Sequence, residues 1–271
     1  MLDVAVVIPI YKEQPDWNEE ISLRQTFSIL KKYEIVIVCP KEIDIRNYDD
    51  IAIEKGCTYT IEYFDSKYFK NIASYNRLLL SEEFYSRFEK YEYILICQPD
   101  AYVFEDRLDE WSAKGYDYIG APLVGRFSEK EYYPEMRLRV GNGGFSLRKI
   151  SSYLKYFRSR KNVFNSKQII EKINLKAKPY TRLFVWLLML IGWRNSPKSV
   201  ANNWIYNEDD FWSGVLDNSN YSMSKPNQIE ALDFAFERFP SEMYKINGKL
   251  PFGCHAWEKY EYESFWKQFI K

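Results

Sequence analysis

Short runs of apolar, β-favouring residues alternate with stretches of helical periodicity through the first hundred residues, and no other feature restricts the fold as strongly. The runs predict strands over residues 3–11, 34–39, 57–64 and 93–97. The chain between successive strands is long enough for a crossover connection, so the strands are expected to lie parallel. This alternation predicts an α/β fold with a mixed, mainly parallel sheet flanked by helices.

The rest of the pattern adds further elements to this sheet. Helices are predicted over 19–32, 71–87 and 207–217, and strands over 116–121, 140–148 and 229–236. The sequence shows no internal repeat and no linker-like stretch. Residues 1–271 are therefore expected to form a single domain, with 158–200 as a helical, partly hydrophobic insertion within it.

Composition and charge narrow the class of protein. Hydrophobic residues make up 46% of the chain and charged residues 28%, as in a globular protein. Lys plus Arg and Asp plus Glu both number 38, so the chain lacks the basic excess of a general nucleic-acid-binding protein. Cys39, Cys57, Cys97 and Cys254 lie far apart, which indicates reduced, buried thiols. Strand residues open the chain, so no signal peptide is expected and the predicted location is cytoplasmic.

Residues 158–200 differ from the rest of the chain, because they are first basic and then strongly apolar. The apolar run over 183–193 is shorter than the roughly 20 residues of a transmembrane helix. Basic residues flank it on both sides: Lys176, Lys178 and Arg182 before it, and Arg194 and Lys198 after it. Two interpretations stay open, namely a helix lying on an anionic membrane surface and a helix packed in the core or in a dimer interface.

An aspartate follows the apolar strand over 93–97. Gln98, Pro99 and Asp100 end that strand abruptly. In open α/β sheets, ligands bind just beyond the carboxyl ends of the strands. Asp100 is therefore well placed to hold a metal ion or a sugar hydroxyl. The alternative is a turn aspartate that caps a helix over 102–109.

Three further segments carry groups suited to a binding site. Gly143 and Gly144 precede a strand-like run, where they either let the backbone approach a ligand or form a plain turn with a bulge. The acids at 208–210 stand at a predicted helix start, and they either supply a general base or favour the helix dipole. His255 is the one histidine of the chain. It is either structural or, beside Asp100, a ligand in a mixed oxygen and nitrogen site suited to Mn²⁺.

The order of these features resembles the GT-A glycosyltransferase fold: a strand ending in an acid, a Gly-Gly-Phe-Ser strand, a Glu-Asp-Asp helix start and a late histidine. It is similar to the β-1,4-galactosyltransferase group, which carries a Gly-Gly-Val-Ser stretch, a Glu-Asp-Asp cluster and a late metal-binding histidine. It resembles more closely an uncharacterised bacterial family from polysaccharide gene clusters. That family shows a Gln-x-Asp-Ala strand end, a Gly-Asn-Gly-Gly-Phe-Ser-Leu-Arg stretch and a Phe-Gly-x-His-x-Trp ending. The likeness covers residues 1–260, apart from the segment around 158–200.

The resemblance implies a role for each matching residue. It implies that Asp100 and His255 are ligands of Mn²⁺ or Mg²⁺ and that Asp209 is the catalytic base. The residues implied to bind the nucleotide sugar are Pro9, Tyr11, Asn76, Arg77, Asp100, Gly143, Gly144 and Glu208. Gln98 stands where an acid is usual, so one carboxylate is missing near the metal. Metal-free catalysis with a cation from Arg or Lys therefore stays open.

The implied activity is transfer of a hexose from a nucleotide sugar, expected to be a UDP-sugar, to a hydroxyl acceptor in bacterial surface polysaccharide or glycoconjugate synthesis. Residues 1–271 would then be a single GT-A-like catalytic domain, in the cytoplasm or peripheral on the inner face of the cell membrane. The acceptor is expected to be a glycan or a lipid-linked glycan. A single displacement inverts the anomer. The alternatives are a retaining transferase and a non-catalytic member that binds a glycan or scaffolds a synthesis complex.

Overall fold

The computed structural model describes residues 3–123, 139–173, 178–217 and 219–270. Its strands are β1 Val4–Pro9, β2 Glu34–Pro40, β3 Tyr59–Phe64, β4 Tyr93–Cys97, β5 Ala101–Val103, β6 Tyr118–Gly120, β7 Pro122–Leu123, β8 Arg139–Val140, β9 Phe145–Lys149, β10 Ala235–Phe236 and β11 Gly253–His255. Its α-helices are α1 Trp17–Leu30, α2 Arg46–Glu54, α3 Ile72–Leu79, α4 Glu82–Arg87, α5 Leu108–Ala113, α6 Ile150–Arg158, α7 Ser166–Lys172, α8 Pro179–Leu190, α9 Pro197–Asn203, α10 Glu208–Asp210, α11 Gln228–Phe234 and α12 Pro240–Asn247. A π-helix follows α10 over Phe211–Val215, and 3₁₀ turns cover Ser66–Phe69 and Trp266–Gln268.

A six-stranded sheet in the order β3-β2-β1-β4-β9-β6 forms the centre of the molecule. Neighbours from β3 to β4 pair in parallel, whereas β9 runs antiparallel to both β4 and β6. The predicted α/β fold with a mixed, mainly parallel sheet is therefore confirmed. Its four parallel strands are those that the alternation in the first hundred residues predicts.

Strand β1 shows why the sheet is buried on both faces. Its side chains alternate between two cores, with Val6 and Ile8 on one side and Ala5 and Val7 on the other. Helix α1 covers the first side and contributes Phe27 to that core, while α4 and α6 contribute to the second. A strand covered on both faces needs a continuous apolar run rather than an alternating one.

A second sheet, in the order β10-β11-β5, fixes the course of the chain after β4. Strand β5 pairs antiparallel with β11, and Ala101 lies opposite His255 in that register. Asp100, just before β5, is thereby brought beside the one histidine of the chain. The alternative in which Asp100 caps a helix over 102–109 is wrong, because β5 occupies its beginning and α5 begins only at Leu108.

Two other predicted elements differ from the observed ones. The strand predicted over 229–236 is mostly helix α11, with only β10 in extended conformation, because the Asn227 side chain caps the helix by accepting from the Glu230 amide. The helix predicted over 71–87 divides into α3 and α4. The hydroxyl of Ser81 accepts from a backbone amide of α4 and begins the second helix there.

Within the segment 158–200, the described residues form helices α7, α8 and α9, with non-helical stretches before α7 and between α8 and α9. The predicted apolar helix corresponds to α8, and Lys176 of its basic flank lies outside the described residues. Within the described ranges, no helix combines the length and the apolarity that crossing a membrane requires. The four cysteines are free and buried, as predicted.

Candidate active site

A cavity of about 460 Å³ lies at the carboxyl ends of β1 and β4. The predicted site residues that line it are Pro9, Tyr11, Asn76, Asp100, Gly143, Gly144, Glu208, Asp209 and His255. Arg77 is the predicted residue that does not line it. Its guanidinium donates instead to the backbone carbonyls of Ala201 and Asn202, at 3.2 and 2.9 Å. The sheet edge therefore gathers residues from well-separated parts of the chain.

His255 and Asp100 form the centre of one wall of this cavity. The His255 Nε2 atom lies 3.3 Å from Asp100 Oδ1 and 3.1 Å from Gln98 Oε1. Glu237 Oε1 and Asn142 Nδ2 each lie 3.2 Å from the other ring nitrogen, Nδ1. Both nitrogens of the imidazole are thus held by side chains, which fixes the orientation of the ring.

Lys259 completes a charge cluster around Asp100, since its Nζ atom lies 3.0 Å from Asp100 Oδ2. Burial alone would raise the pKa of Asp100, but the positive charges and hydrogen bonds of His255 and Lys259 hold that pKa well below its usual range. Burial lowers the pKa of His255, whereas Asp100 and Glu237 raise it by more, to about 10. The carboxylate of Asp100 is therefore ionised and balanced by cations of the chain itself.

The donor set suits a divalent cation only in part. No group of three or more His, Cys, Asp or Glu side chains able to hold a metal occurs among the described residues. Three possible ligand atoms nevertheless lie close together: Asp100 Oδ1, His255 Nε2 and Gln98 Oε1. Glu237 contacts the other imidazole nitrogen, Nδ1, as an outer carboxylate often does at metal-binding histidines. To bind a divalent cation, the His255 imidazole must lose its proton, and the cation would take its remaining ligands from substrate phosphates.

Gly143 and Gly144 make room for the functional side chains. A Cβ atom on Gly144 would lie 2.1 Å from His255 Nε2, and one on Gly143 would lie 2.5 Å from Glu208 Oε1. Neither is among the glycines with positive φ, so close approach rather than an unusual backbone conformation excludes other residues here. Because Gly143 and Gly144 have no side chains, the side chains of His255 and Glu208 can pack against the backbone just before β9.

The first acid of the helix start, Glu208, is held by a buried arginine. Arg148 of β9 is fully buried, and Glu208 is 3% exposed. The Arg148 guanidinium donates to both carboxylate oxygens of Glu208, at 2.7 and 3.1 Å, and to the Tyr85 hydroxyl at 3.0 Å. This bidentate geometry anchors α10 to the central sheet. A role of Glu208 in binding the sugar stays a prediction.

The second acid, Asp209, remains available to the cavity. Burial, followed by the negative charges of Glu208 and Asp210, raises the pKa of Asp209 to about 7. A carboxylate with a pKa near the working pH is well suited to accept a proton as a general base. The two adjacent acids thus have different surroundings: Glu208 is paired with Arg148, whereas the pKa of Asp209 is raised at the cavity wall.

Sequence reasoning missed several residues of the site. Glu237 and Lys259 carry no local signal, because only the tertiary structure brings them to His255 and Asp100. Arg148 follows the glycines in the sequence, but nothing in that motif indicates that it forms an ion pair with Glu208. Asn142 stands within the same stretch, where its Oδ1 accepts from the Gly144 amide at 3.1 Å. An asparagine between glycines is a common turn signal and is the one available clue.

A family model described as "Protein of unknown function (DUF5672)" matches residues 58–255, from the start of the third predicted strand to His255. This match includes Asp100, the glycine-rich stretch and the acids at 208–210. No curated protein matches the chain.

Among solved structures, the chain is similar to the galactosyltransferase LgtC, as an active-site mutant, with 11% identity over 93% of this chain and 86% of that one and a TM-score of 0.50. It is also similar to glycosyltransferase GlyE from Streptococcus pneumoniae, with 11% identity over 93% and 54% and a TM-score of 0.42. Core-mannan synthase A from Aspergillus fumigatus, in its Mn/GDP form, aligns at 11% identity over 78% and 72% with a TM-score of 0.39. The alignment with LgtC confirms the predicted GT-A-like fold.

Proposed function

The chain belongs to the DUF5672 family of proteins of unknown function, and we propose that it is a glycosyltransferase that transfers a hexose from a UDP-sugar to a hydroxyl acceptor. The observation that carries the proposal is one cavity lined both by Asp209, with a pKa raised to about 7, and by the Asp100–His255 pair. A general base activates an acceptor hydroxyl and a bound cation stabilises a departing diphosphate, so these groups in one cavity suit glycosyl transfer to a hydroxyl.

The fold supports the same class of activity without establishing it. The galactosyltransferase LgtC shares the arrangement of the sheet and its flanking helices. One fold hosts many activities, so the assignment depends on the side chains at the sheet edge. The cavity volume of about 460 Å³ is within the range of small-molecule sites.

In the proposed reaction, the Asp209 carboxylate accepts the proton of the acceptor hydroxyl. The hydroxyl oxygen forms a bond to the anomeric carbon, and the bond between that carbon and the diphosphate oxygen breaks. Attack on the face opposite the leaving group inverts the anomer. A well-placed base contributes about 10²- to 10⁴-fold to the rate of such a step.

Asp100 and His255 would hold Mn²⁺ or Mg²⁺, and the bound ion would neutralise the charge of the departing nucleoside diphosphate as a Lewis acid. Lys259 offers a second source of positive charge from the chain itself, because its ammonium group already contacts Asp100. The proposed acceptor is a glycan or lipid-linked glycan of surface polysaccharide synthesis. The free, buried cysteines support a reducing compartment, and we place the enzyme in the cytoplasm.

The test measures thermal stability with UDP and UDP-sugars, with and without Mn²⁺. A ligand that binds only the native state raises the melting temperature. We expect UDP with Mn²⁺ to raise it in the wild type but not in Asp100→Ala or His255→Ala. Asp50→Ala, at an exposed position of α2 outside the cavity, is the matched control and should behave as the wild type.

Each other outcome has a distinct meaning. Stabilisation by UDP that is independent of metal, and that Lys259→Gln abolishes, would assign the cation role to Lys259. A product with retained anomeric configuration would replace the inverting mechanism with a retaining one. If no nucleotide sugar stabilises or is hydrolysed by the wild type, the enzymatic proposal is wrong and a glycan-binding or scaffold role replaces it.

A further inference from the structure

An exposed apolar stripe runs along helix α8. Tyr180, Leu183, Phe184, Leu187 and Ile191 have exposed fractions of 68%, 57%, 61%, 49% and 81%. Their spacing of three and four residues places them along one side of the helix. Scattered apolar residues are normal at a protein surface, but a continuous stripe of large ones indicates a surface that contacts something else.

The opposite side of α8 is packed against the protein. Trp186, Met189 and Leu190 are partly buried against the second core. The Asn162 side chain also donates to the carbonyls of Met189 and Leu190, at 3.3 and 2.7 Å. Packing in the core, one of the interpretations of the apolar run, therefore explains the apolar residues on one side of the helix only. Acidic substitutions of Trp186 or Leu190 would disturb packing, so they cannot test the exposed side.

The segment that carries this stripe is strongly basic. Residues 158–200 contain ten Lys and Arg and one acid, Glu171, in a chain whose net charge is zero. Lys178 stands at the N-cap of α8, and Arg194 and Lys198 follow the helix with exposed side chains. An apolar stripe bordered by cations is the pattern of a helix that lies in the plane of an anionic membrane interface.

We propose that the exposed side of α8 docks on the surface of an anionic lipid bilayer, with the apolar stripe among the acyl chains and the flanking cations at the headgroups. A second copy of the chain is the less suitable occupant. A two-fold interface places the same patch against itself, and here that would bring like charges together. Since no described helix is able to cross a membrane, the proposed association is peripheral.

Helix α9 connects the docking helix to the cavity along the chain. Arg77, the neighbour of the cavity residue Asn76, donates to the carbonyls of Ala201 and Asn202 in α9. The chain then enters the cavity at Asn207. The proposal nevertheless does not depend on the enzymatic one, because membrane binding is measured without substrate.

The test is co-sedimentation with phosphatidylcholine vesicles that contain or lack phosphatidylglycerol, at low and high salt. We expect the wild type to bind only the anionic vesicles and to be released as salt screens the flanking charges. Leu183→Glu with Leu187→Glu should weaken vesicle binding by about tenfold or more, because charged groups replace apolar ones at the interface. The control Ile53→Glu with Ile246→Glu adds the same two charges at exposed apolar residues (75% and 46%) on α2 and α12 and should bind as the wild type.

A second pair of variants tests the charges. Lys178→Gln with Arg194→Gln should reduce binding to anionic vesicles, whereas Lys245→Gln with Lys267→Gln removes the same charge elsewhere and should not. A wild type that stays in the supernatant with anionic vesicles at low salt overturns the proposal. So does undiminished binding of the Leu183→Glu, Leu187→Glu variant. If that variant misfolds, Leu183→Ser with Leu187→Ser replaces it. The wild type could also be a dimer that does not bind vesicles. If the Leu183→Glu, Leu187→Glu variant is then a monomer, the surface belongs to an interface with a second copy.

Discussion

Asp209 and Glu208 show how one sequence position changes the chemistry of a carboxylate. Arg148 occupies both oxygens of Glu208, whereas Asp209 has a pKa raised to about 7 by burial and by its acidic neighbours. A base must be deprotonated to accept a proton. The activity should therefore fall as the pH decreases through about 7 and level off above it.

We predict that Asp209→Asn retains UDP-sugar binding but lowers turnover by at least about a hundredfold, because it removes the proposed general base. The measurement is kcat/KM against pH for the wild type and the variant. The wild-type limb near pH 7 should be absent from the profile of the variant. Asp210→Asn is the matched control: it should keep most of the rate, and its limb should shift to lower pH because one of the charges that raise the pKa of Asp209 is removed. Near-normal turnover of Asp209→Asn would remove this residue from the mechanism.

At the scale of elements, the buried ion pair between β9 and α10 holds the helix start against the sheet. Both partners are nearly inaccessible, and the arginine also binds the Tyr85 hydroxyl. Removing one partner of such a pair leaves an uncompensated buried charge, whereas removing both does not. The pair thus fixes where Asp209 stands.

We predict that Arg148→Met lowers the free energy of unfolding by about 3–5 kcal/mol and that Glu208→Gln in the same chain restores part of the loss. Urea denaturation of the wild type, the two single variants and the double variant gives the coupling energy. Arg46→Met, in the exposed pair with Asp44, should change stability little. Additive effects of Arg148→Met and Glu208→Gln would show that the pair does not act as a unit.

At the scale of the whole molecule, a third apolar cluster joins the C-terminal segment to the second sheet. It contains Tyr102 of β5, Cys254 of β11 and, from the last residues, Trp257 and Trp266. Trp257 also donates to the Ser22 hydroxyl of α1, at 2.9 Å. The cluster therefore secures the strand pairing that brings His255 to Asp100.

We predict that Trp266→Ala lowers the free energy of unfolding by about 3–5 kcal/mol, since a fully buried indole is replaced by a cavity. Trp193→Ala, which changes a tryptophan that is 45% exposed, is the control and should have a much smaller effect. Denaturant midpoints at equal slope provide the comparison. Equal losses in the two variants would mean that the cluster contributes nothing beyond surface packing.

The central sheet and the place of Asp100 at a strand end could be predicted from the sequence alone. Apolar runs and polar strand ends are local properties, so β1, β2, β3 and β4 could be read from single segments. The prediction of a strand over 229–236 was wrong, because a capping asparagine begins a helix there and the same apolar residues pack on one side of that helix.

The charge of the site residues and the exposed side of α8 could not be predicted from the sequence, because both depend on the tertiary structure. The partner of Glu208 stands 60 residues away, Gln98 contacts His255 across 157 residues, and Lys259 contacts Asp100 across 159. Ion pairing, pKa and exposure depend on what packs beside a residue after folding. No local pattern contains that information, so the sequence predicts which residues lie at the sheet edge, whereas the fold determines the partners, charge and exposure of each.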